Sequence, residues 1–313
     1  MCGCRIGRVR LSRRSTRWTR RRNAVLASHK EGIVYLEHCR IQVDDERLCL
    51  VRSKDALEKF WSIPHAATLS ILLGPGTSLT QAAAKFLGSE GVLVAFVGGE
   101  GTPIYYASQN EYRPTEYLQA WVRSWSEPNT RLAMAKVFQS ARVKMLRKTA
   151  SVFAELNPCE QAIFRFEQET RAATSEAQIL AEEGVLSKVL YRACAGAAAM
   201  DGFTRDHQGD DSANKLLSTG NYLAYGLAAS SLWLLGIPHS LPVVHGRTRR
   251  GGLVFDLADV VKDACVMPTA FRSAALGDDR AEFRAKCIAV FDKYRVLETM
   301  IETIKDACDC HRR

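Results

Sequence analysis

The sequence predicts an α+β protein, in which a small N-terminal β-rich domain is followed by a larger all-α-helical domain. Short apolar runs bounded by turn residues fill the stretch between residues 33 and 97, and helical spacing replaces them from Pro114 onward. A chain of 313 residues is also long enough for two domains. We expect a basic, disordered tail over residues 1–22, the β-rich domain over 23–112 and the helical domain over 113–313.

The β-rich domain is predicted to begin with three short strands. Residues 33–36, 41–43 and 48–51 are apolar runs that alternate with polar positions, and Asp44-Asp45 is a turn signal between the last two. This pattern is typical of short antiparallel strands.

Two buried strands and one helix are predicted further along the same domain. The strands cover residues 71–73 and 92–97, and each is followed by glycine. Between them, Ser78 or Thr80 is expected to cap a helix over residues 81–87, because a hydroxyl at that position accepts a hydrogen bond from a helix N–H group.

Three-four spacing of apolar residues predicts the helices of the second domain. The apolar face of its first helix consists of Tyr117, Leu118, Trp121, Val122 and Trp125. Another helix is predicted over residues 176–197. Residues 216–238 carry no charged side chain, but serines, glycines and Asn221 dilute their apolarity, so we expect a buried central helix and no membrane span.

The positive charge of the chain is concentrated at its N-terminus. Of the 43 Lys and Arg residues, nine are arginines within residues 1–22, and the remaining 34 match the 34 acidic residues. A nucleic-acid surface must therefore arise from local clusters of basic residues. In two stretches without acidic residues, 128–154 and 212–255, every charged residue is basic, and such stretches suit phosphate contacts.

The ten cysteines show no disulfide framework in their spacing, which indicates a reducing, cytoplasmic compartment. Cys2 with Cys4, and Cys308 with Cys310 and His311, are soft-metal ligand types near the chain ends. Their spacing is not that of a zinc site, so zinc is not the expected ion.

Four residues are candidate metal ligands, namely Glu183, His245, Asp256 and Asp259. Glu183 falls on the apolar face of the helix over 176–197, where a carboxylate is costly unless it is paired, hydrogen-bonded or metal-bound. A structural alternative is a buried salt bridge from Glu183 to Arg192 or Lys188.

His245 follows an apolar run and precedes three candidate DNA contacts, Arg247, Arg249 and Arg250. His239, six residues earlier, is expected to be structural.

Asp256 and Asp259 are three residues apart, so both lie on one face of a helix and can share a metal ion. The structural alternative is a helix cap, with Asp256 as the N-cap and Asp259 as its partner in a helix that ends near Pro268.

With these residues identified, the chain resembles the CRISPR adaptation integrases, the CRISPR-associated nucleases that insert new spacers, and in particular their type I-F branch. The resemblance covers roughly Asn23 to the C-terminus. The matching segments are Tyr35 to Arg40, Leu72 to Ser78, Glu111 to Leu118, Glu182 to Gly184, Gly220 to Gly226 and His245 to Lys262.

The resemblance implies a metal-dependent DNA endonuclease and integrase, in which a DNA 3′-hydroxyl attacks a repeat phosphodiester and branched DNA is also nicked. It implies that Mg²⁺ or Mn²⁺ is bound by the four candidate ligands, with Asn221 and Tyr225 in packing or DNA positioning and Lys262 near the phosphate.

The resemblance also implies partners and a location. The expected partners are double-stranded and branched DNA, a second copy of the chain in a homodimer, and a ferredoxin-like adaptation protein fused to the helicase-nuclease. The expected location is the cytoplasm without membrane association, and bacterial or archaeal membership makes a mitochondrial transit peptide implausible.

Two alternative functions stay open. One is a branched-DNA-binding scaffold without chemistry of its own, against which the intact ligand types at four positions argue. The other is a repair nuclease that acts on junctions outside CRISPR immunity. A neighbouring repeat array and a fused helicase-nuclease gene would favour the integrase over both.

Overall fold

A computed structural model describes residues 32–44, 47–54, 57–62, 68–98, 103–107, 115–207, 209–246 and 250–312. The chain forms two compact units, one rich in strands and the other, from Arg113 onward, helical. This confirms the predicted α+β fold, with a small strand-containing region before a larger helical domain. The prediction for the tail over residues 1–22 lies outside the described part of the chain.

The strand-rich unit contains two four-stranded sheets within its described residues. Its strands are β1 (Ile33–Leu36), β2 (Arg40–Asp44), β3 (Arg47–Lys54), β4 (Leu57–Ser62), β5 (Ser70–Leu73), β6 (Ser78–Leu79), β7 (Leu93–Val97) and β8 (Pro103–Ala107). One sheet has the order β1-β5-β7-β8 and the other the order β4-β3-β2-β6.

The predicted antiparallel pairing is right for β2 with β3 and wrong for β1. Gln42 lies opposite Cys49 in an antiparallel ladder, whereas β1 pairs in parallel with β5, with Tyr35 opposite Leu72. Between β1 and β2, His38 has a φ of 50°, and the chain passes there from one sheet to the other. Alternation of apolar and polar residues predicts a strand, but it does not indicate which other strand pairs with it.

Apolar side chains from both sheets form the core of this unit, and α1 (Gln81–Ser89) packs against it. The core includes Ile41 and Ile71, both fully buried. Helix α1 is capped by Thr80, whose hydroxyl accepts a hydrogen bond from the N–H of Ala83 at 3.3 Å. Of the two predicted caps, Thr80 is therefore the one used.

The described part of the second unit consists of helices. They are α2 (Glu116–Ser126), α3 (Pro128–Ala150), α4 (Glu160–Ala172), α5 (Glu176–Ala197), α6 (Ser212–Leu234), α7 (Gly252–Val261), α8 (Met267–Leu276), α9 (Arg280–Lys293) and α10 (Val296–Cys308). Short 3₁₀ turns lie at Ala154–Cys159 and Asp309–Arg312, and a π-helical turn, Lys262–Val266, joins α7 to α8.

The central helix is α6, which packs against α7, α8, α9 and α10. Of its 23 residues 16 are buried, and the hydroxyls of Ser230 and Ser231 donate to the carbonyls of Gly226 and Leu227 one turn earlier. These local hydrogen bonds allow the serine hydroxyls to be buried without a penalty. The helix is buried among other helices, as predicted. No helix in the described ranges has the length and apolarity that a membrane crossing requires.

Helix α2 anchors the segment that leads into α7. The indole N–H groups of Trp121 and Trp125 donate to the carbonyls of Leu241 and Pro242, at 3.3 and 2.6 Å. Trp121 is fully buried, as its predicted apolar face requires, but Val122 is 47% exposed and does not belong to that face. The buried surface of α2 is narrower than the spacing suggested.

The predicted helix near Asp256 begins earlier and ends later than expected. Its first residue is Gly252, after Gly251 in the left-handed conformation, so Asp256 lies in the middle of α7 and is not an N-cap. Helix continues past Pro268 to Leu276, because the proline sits in the first turn of α8, where its missing N–H costs nothing.

Candidate metal centre

Helices α3, α5 and α6, the segment before α7, α7 itself and the π-helical turn surround a cavity of about 340 Å³. Six of the predicted site residues line it, namely Glu183, Asn221, Tyr225, His245, Asp259 and Lys262. Asp256 lies behind this wall, and Arg250 is exposed outside it. The predicted DNA contacts Arg247 and Arg249 fall outside the described residues.

Glu183 projects into the cavity from the buried face of α5, one turn from Ile179 and Leu186. It accepts a hydrogen bond from Nη1 of Arg142, which reaches it from α3. The predicted alternative partners are wrong, because Arg192 and Lys188 are both exposed on the opposite side of α5. The salt bridge foreseen for Glu183 exists, but its cation comes from another helix.

Arg142 joins two carboxylates at the bottom of the cavity. Its Nε donates to Oδ2 of Asp263 at 3.0 Å, its Nη2 bonds the same oxygen, and its Nη1 bonds Glu183. Nη2 also lies 3.4 Å from the hydroxyl of Ser187. This guanidinium therefore holds α3, α5 and the π-helical turn together by charge-assisted hydrogen bonds.

The acid-free stretch over 128–154 lies mostly in α3, where Lys144, Arg147 and Lys148 are exposed, and its expected phosphate contacts stay a prediction. Its basic residues bind other parts of the helical unit, with Arg131 on Glu176, Arg147 on Glu160 and Glu167, Lys136 on the Arg171 carbonyl and Lys148 on the Tyr294 carbonyl.

Asp256 is fully engaged in holding the segment that carries His245. Its Oδ2 accepts hydrogen bonds from the N–H groups of Val243 and Val244 at 2.6 and 3.1 Å. Its Oδ1 accepts the N–H of His245 at 2.9 Å and lies 2.6 Å from Nδ1 of the same residue. With Nδ1 donating to Asp256, the lone pair on Nε2 of His245 faces the cavity.

Asp259 lies one helical turn after Asp256 and faces the cavity directly. Its Oδ2 is 3.8 Å from Nε2 of His245, and its Oδ1 accepts a hydrogen bond from the ammonium of Lys262. Lys262 also lies 5.2 Å from the centre of the Tyr225 ring and 3.5 Å from its hydroxyl. Tyr225 thus packs against the cation that neutralises Asp259.

The protonation equilibria of the site follow from burial and these pairs. Burial raises the pKa of Glu183, an effect that Arg142 only partly offsets. Burial also disfavours the charged form of Asp259, but Lys262 and Arg142 hold its pKa below the usual range. Burial opposes protonation of His245, yet the hydrogen bond to Asp256 and the nearby carboxylates raise its pKa.

The donor set fits a divalent metal ion in part. Two ligands of one ion, each about 2.1 Å from it, lie at most about 4.2 Å apart, and the 3.8 Å between Nε2 of His245 and Oδ2 of Asp259 meets that limit. No three His, Cys, Asp or Glu side chains in the described ranges are already grouped as metal ligands. Glu183 is paired with Arg142, and Asp259 is paired with Lys262. Metal binding therefore requires the metal ion to replace the basic side chain at each of these carboxylates.

Two residues of this site were not identified from the sequence, Arg142 and Asp263. Arg142 belongs to the acid-free stretch, and its period along α3 places it among buried residues such as Phe138 and Met145. Asp263 lies four residues after Asp259, a spacing that puts both on one helix face. An arginine and an acid that both fall on buried faces are a signal for a buried ion pair.

Comparison with known proteins places the whole arrangement in one family. Residues 33–301 match the model of the family described as CRISPR associated protein Cas1. Two relatives, each named CRISPR-associated endonuclease Cas1, come from Pectobacterium atrosepticum and Pseudomonas aeruginosa. They are 41% and 42% identical over 90% of this chain, which is 93% and 94% of their own lengths.

The fold is also that of a solved structure, a TtCas1–DNA complex. It superposes with a TM-score of 0.66 at 23% identity and covers 88% of this chain and 90% of that one. The match to the family model over residues 33–301 and the two relatives point to the same family. The chain therefore belongs to the CRISPR associated protein Cas1 family.

Proposed function

We propose that this chain is a metal-dependent DNA endonuclease and integrase of CRISPR adaptation, in its type I-F branch. One observation carries the proposal: Glu183, His245 and Asp259 line a single cavity, and Asp256 orients His245 so that its Nε2 faces that cavity. The endonuclease names of the relatives at 41% and 42% identity support it.

The proposed ligands are Glu183, His245 and Asp259, and the ion is Mg²⁺ or Mn²⁺. Imidazole together with carboxylates favours Mn²⁺ over Mg²⁺, which prefers oxygen ligands. Asp256, included among the ligands on sequence grounds, is assigned a positioning role because both its oxygens already accept hydrogen bonds. A carboxylate that holds the far nitrogen of a ligand histidine is a common support of metal sites.

When bound, the ion would polarise a phosphodiester and stabilise the charge of the transition state. A DNA 3′-hydroxyl would attack the phosphorus of a repeat phosphodiester in line and release its proton. A new P–O bond forms as the old one breaks, and the departing 3′-oxygen takes up a proton to become a 3′-hydroxyl. Attack by water at the same phosphorus gives nicking, including nicking of branched DNA. We assign no general base.

The chain's own cations complete the reaction site. Lys262, freed from Asp259 when a metal binds that carboxylate, can bind a phosphate oxygen, and Tyr225 keeps its ammonium at the cavity wall. Asn221 lines the cavity from α6, and we assign its amide to the positioning of DNA. Arg250, exposed at the start of α7, and the neighbouring Arg247 and Arg249 are proposed contacts to the DNA backbone.

The proposed assembly rests on the resemblance to the type I-F branch. The chain would act in the cytoplasm as a homodimer, on double-stranded and branched DNA, with a ferredoxin-like adaptation protein that is fused to the helicase-nuclease. Solved structures of this fold include a TtCas1–DNA complex and a Cas6-RT-Cas1–Cas2 complex. Analytical ultracentrifugation of the purified protein tests the dimer, and a monomer at micromolar concentration would count against it.

Substitution of Asp259 tests the proposed function. Asp259→Ala is expected to keep the fold and DNA binding and to abolish Mn²⁺-dependent joining of a DNA 3′-end into a repeat duplex, because one ligand is lost. Asp259→Asn, which keeps the shape beside Lys262, should behave alike. The control is Glu182→Ala, which removes a carboxylate one residue from Glu183 and should keep activity. Joining at the wild-type rate by both Asp259 variants would refute the site.

The same assay separates the alternatives. A scaffold protein would bind branched DNA with or without metal and join nothing. A junction-repair nuclease would cut branched DNA but show no preference for a repeat duplex over an unrelated one.

A further inference from the structure

Arg205 lines the same cavity from the connection between α5 and α6. Its Nη1 donates to the Asp206 carbonyl at 2.6 Å and to Oδ1 of Asn214 at 2.8 Å. Its Nη2 donates to the Ser218 hydroxyl at 3.0 Å and lies 3.2 Å from Nδ1 of His207. The guanidinium is therefore fixed against the start of α6.

Asn214 holds the connecting segment in place. It is 3% exposed, and its amide donates to the Thr204 carbonyl at 3.1 Å and to the Asp211 carboxylate at 2.7 Å. Its Oδ1 accepts the N–H of Asp206 at 2.9 Å as well as the bond from Arg205. A buried amide with all these bonds made gives Arg205 a rigid support.

Two arginines and one lysine line the cavity, namely Arg142, Arg205 and Lys262, and they differ in their hydrogen-bond partners. Arg142 and Lys262 each form ion pairs with carboxylates of the wall. Arg205, among the residues that the structure describes, is bonded only to neutral acceptors, and its Nε is buried without a hydrogen-bond partner. The four Nη hydrogens already have acceptors, so a phosphate oxygen would replace the two longest of these bonds, from Nη2 to the Ser218 hydroxyl and to His207.

In the described ranges Arg205 forms no hydrogen bond or ion pair with Glu183, His245 or Asp259. It lies beside the hydroxyl of Tyr191, where it opposes part of the effect of burial, which raises the pKa of Tyr191 to about 12. Tyr191 follows Glu183 by eight positions on α5, which is roughly 12 Å along the helix axis. Phosphates of one DNA strand rise by about 3.4 Å per nucleotide, so this offset along α5 corresponds to a few nucleotides.

We propose that Arg205, with His207 beside it, binds a non-scissile backbone phosphate of the DNA strand in the cavity and fixes the register of that strand. The inference rests on the proposed function, since it requires DNA in this cavity. It adds a positioning contact that determines which phosphodiester meets Glu183, His245 and Asp259.

The test uses the full-length protein and branched DNA in which one phosphate at a time, on either side of the cut, is replaced by a neutral methylphosphonate. For the wild-type protein, replacement of the phosphate at one position is expected to weaken DNA binding about tenfold, because a charge-assisted hydrogen bond is lost. Arg205→Gln is expected to bind unmodified DNA about tenfold more weakly and to lose nothing further at that position. It should also join or cut at neighbouring phosphodiesters.

Lys215→Gln is the matched control. Lys215 pairs with Asp210 on the exposed side of the same region, so its loss removes one positive charge near the cavity without removing a cavity contact. Arg205→Gln should lower the slope of log affinity against log salt by about 0.9, the value for one phosphate on duplex DNA, and Lys215→Gln should leave it unchanged.

Three results would decide against the inference. Arg205→Gln with the wild-type methylphosphonate profile would overturn it while leaving the proposed function intact, provided that the wild-type protein joins DNA. A wild-type protein that binds no DNA would overturn both. If Arg205→Gln melts early, His207→Ala replaces it, because His207 is exposed, and an unchanged profile for that variant would also overturn the inference.

Discussion

Both oxygens of Asp256 are occupied by hydrogen bonds from the segment before α7, whereas Glu183 and Asp259 are occupied by side-chain cations. Backbone N–H groups cannot leave their carboxylate without unfolding the segment, but Lys262 and Arg142 can move within their rotamers. Asp256 is therefore a permanent support for His245, and the other two carboxylates remain exchangeable.

Asp256→Asn replaces an acceptor oxygen by an NH₂ donor that faces N–H groups. We expect the affinity for Mn²⁺ to fall by about 10–100-fold, because the His245 ring loses its support. The free energy of unfolding should fall by about 1–3 kcal/mol, the cost of a buried unsatisfied group. Calorimetric titration with Mn²⁺ and urea unfolding measure these two effects. Wild-type values for both would contradict the assigned role of Asp256.

The sequence predicted that Glu183, His245 and Asp259 would lie together, but it did not predict that Asp256 would hold the backbone before α7. Glu183 could be selected because an acid on an apolar helix face requires a partner, and Asp259 because it lies three residues after Asp256 on one helix face. The role of Asp256 depends on N–H groups of Val243 to His245, whose direction is set by the fold of a non-helical segment. Arg142 was noticed only as a basic residue, because a sequence does not show which helix lies opposite α5.

At the scale of elements, the π-helical turn between α7 and α8 fixes which residues face the cavity. Asp259, Lys262 and Asp263 follow the three-four spacing of one helix face. The turn over Lys262–Val266 then resets the helical phase before Pro268 enters the first turn of α8. Such turns often occur at functional sites, and here the turn carries two residues that bind the ionised groups of the site.

Helix α6 approaches this turn closely at Gly220. A Cβ atom added there would lie 2.4 Å from Cγ1 of Val266 and 2.9 Å from Cζ of Phe283. Gly220→Ala is therefore expected to destabilise the protein by at least about 1–3 kcal/mol and to weaken Mn²⁺ binding by displacing the turn.

Gly196→Ala is the matched control for Gly220→Ala. It makes the same change in α5, where no atom lies within 4 Å of an added Cβ, and should be neutral or stabilising by up to about 1 kcal/mol. Urea unfolding of both variants measures the difference. Equal stabilities would show that α6 and the π-helical turn can separate without cost.

Long helices were the most predictable elements, since α5 occupies the predicted range and α6 is buried as expected. The extent of the α7–α8 region was not predictable, because proline ends a helix in most contexts but not when a π-helical turn precedes it. The parallel partner of β1 lies 34 residues or more along the chain, and local pattern contains no information about such pairing.

At the scale of the whole molecule, the charge is unevenly distributed. Nine arginines lie within residues 1–22, outside the described part, and the remainder of the chain has equal numbers of basic and acidic residues. Many basic side chains of the helical unit form salt bridges with acidic residues of the same unit. We therefore expect the nine N-terminal arginines to be the largest cluster of positive charge that attracts DNA.

Removal of residues 1–22 is expected to lower the slope of log affinity for DNA against log salt by more than 1, because each phosphate contact contributes about 0.9. Replacement of the nine arginines by glutamine in the full-length chain should have the same effect and separates charge from length. An unchanged slope in both proteins would show that these arginines make no phosphate contacts.

The central claim is that one divalent ion is bound by Glu183, His245 and Asp259, with Asp256 behind the histidine. An anomalous difference map from a crystal of this protein soaked in Mn²⁺ tests it most directly. We predict a single peak bonded to those three side chains, with Arg142 and Lys262 moved off Glu183 and Asp259. A map without a peak in the cavity, or one in which Asp256 leaves His245 to bind the ion, would contradict the account.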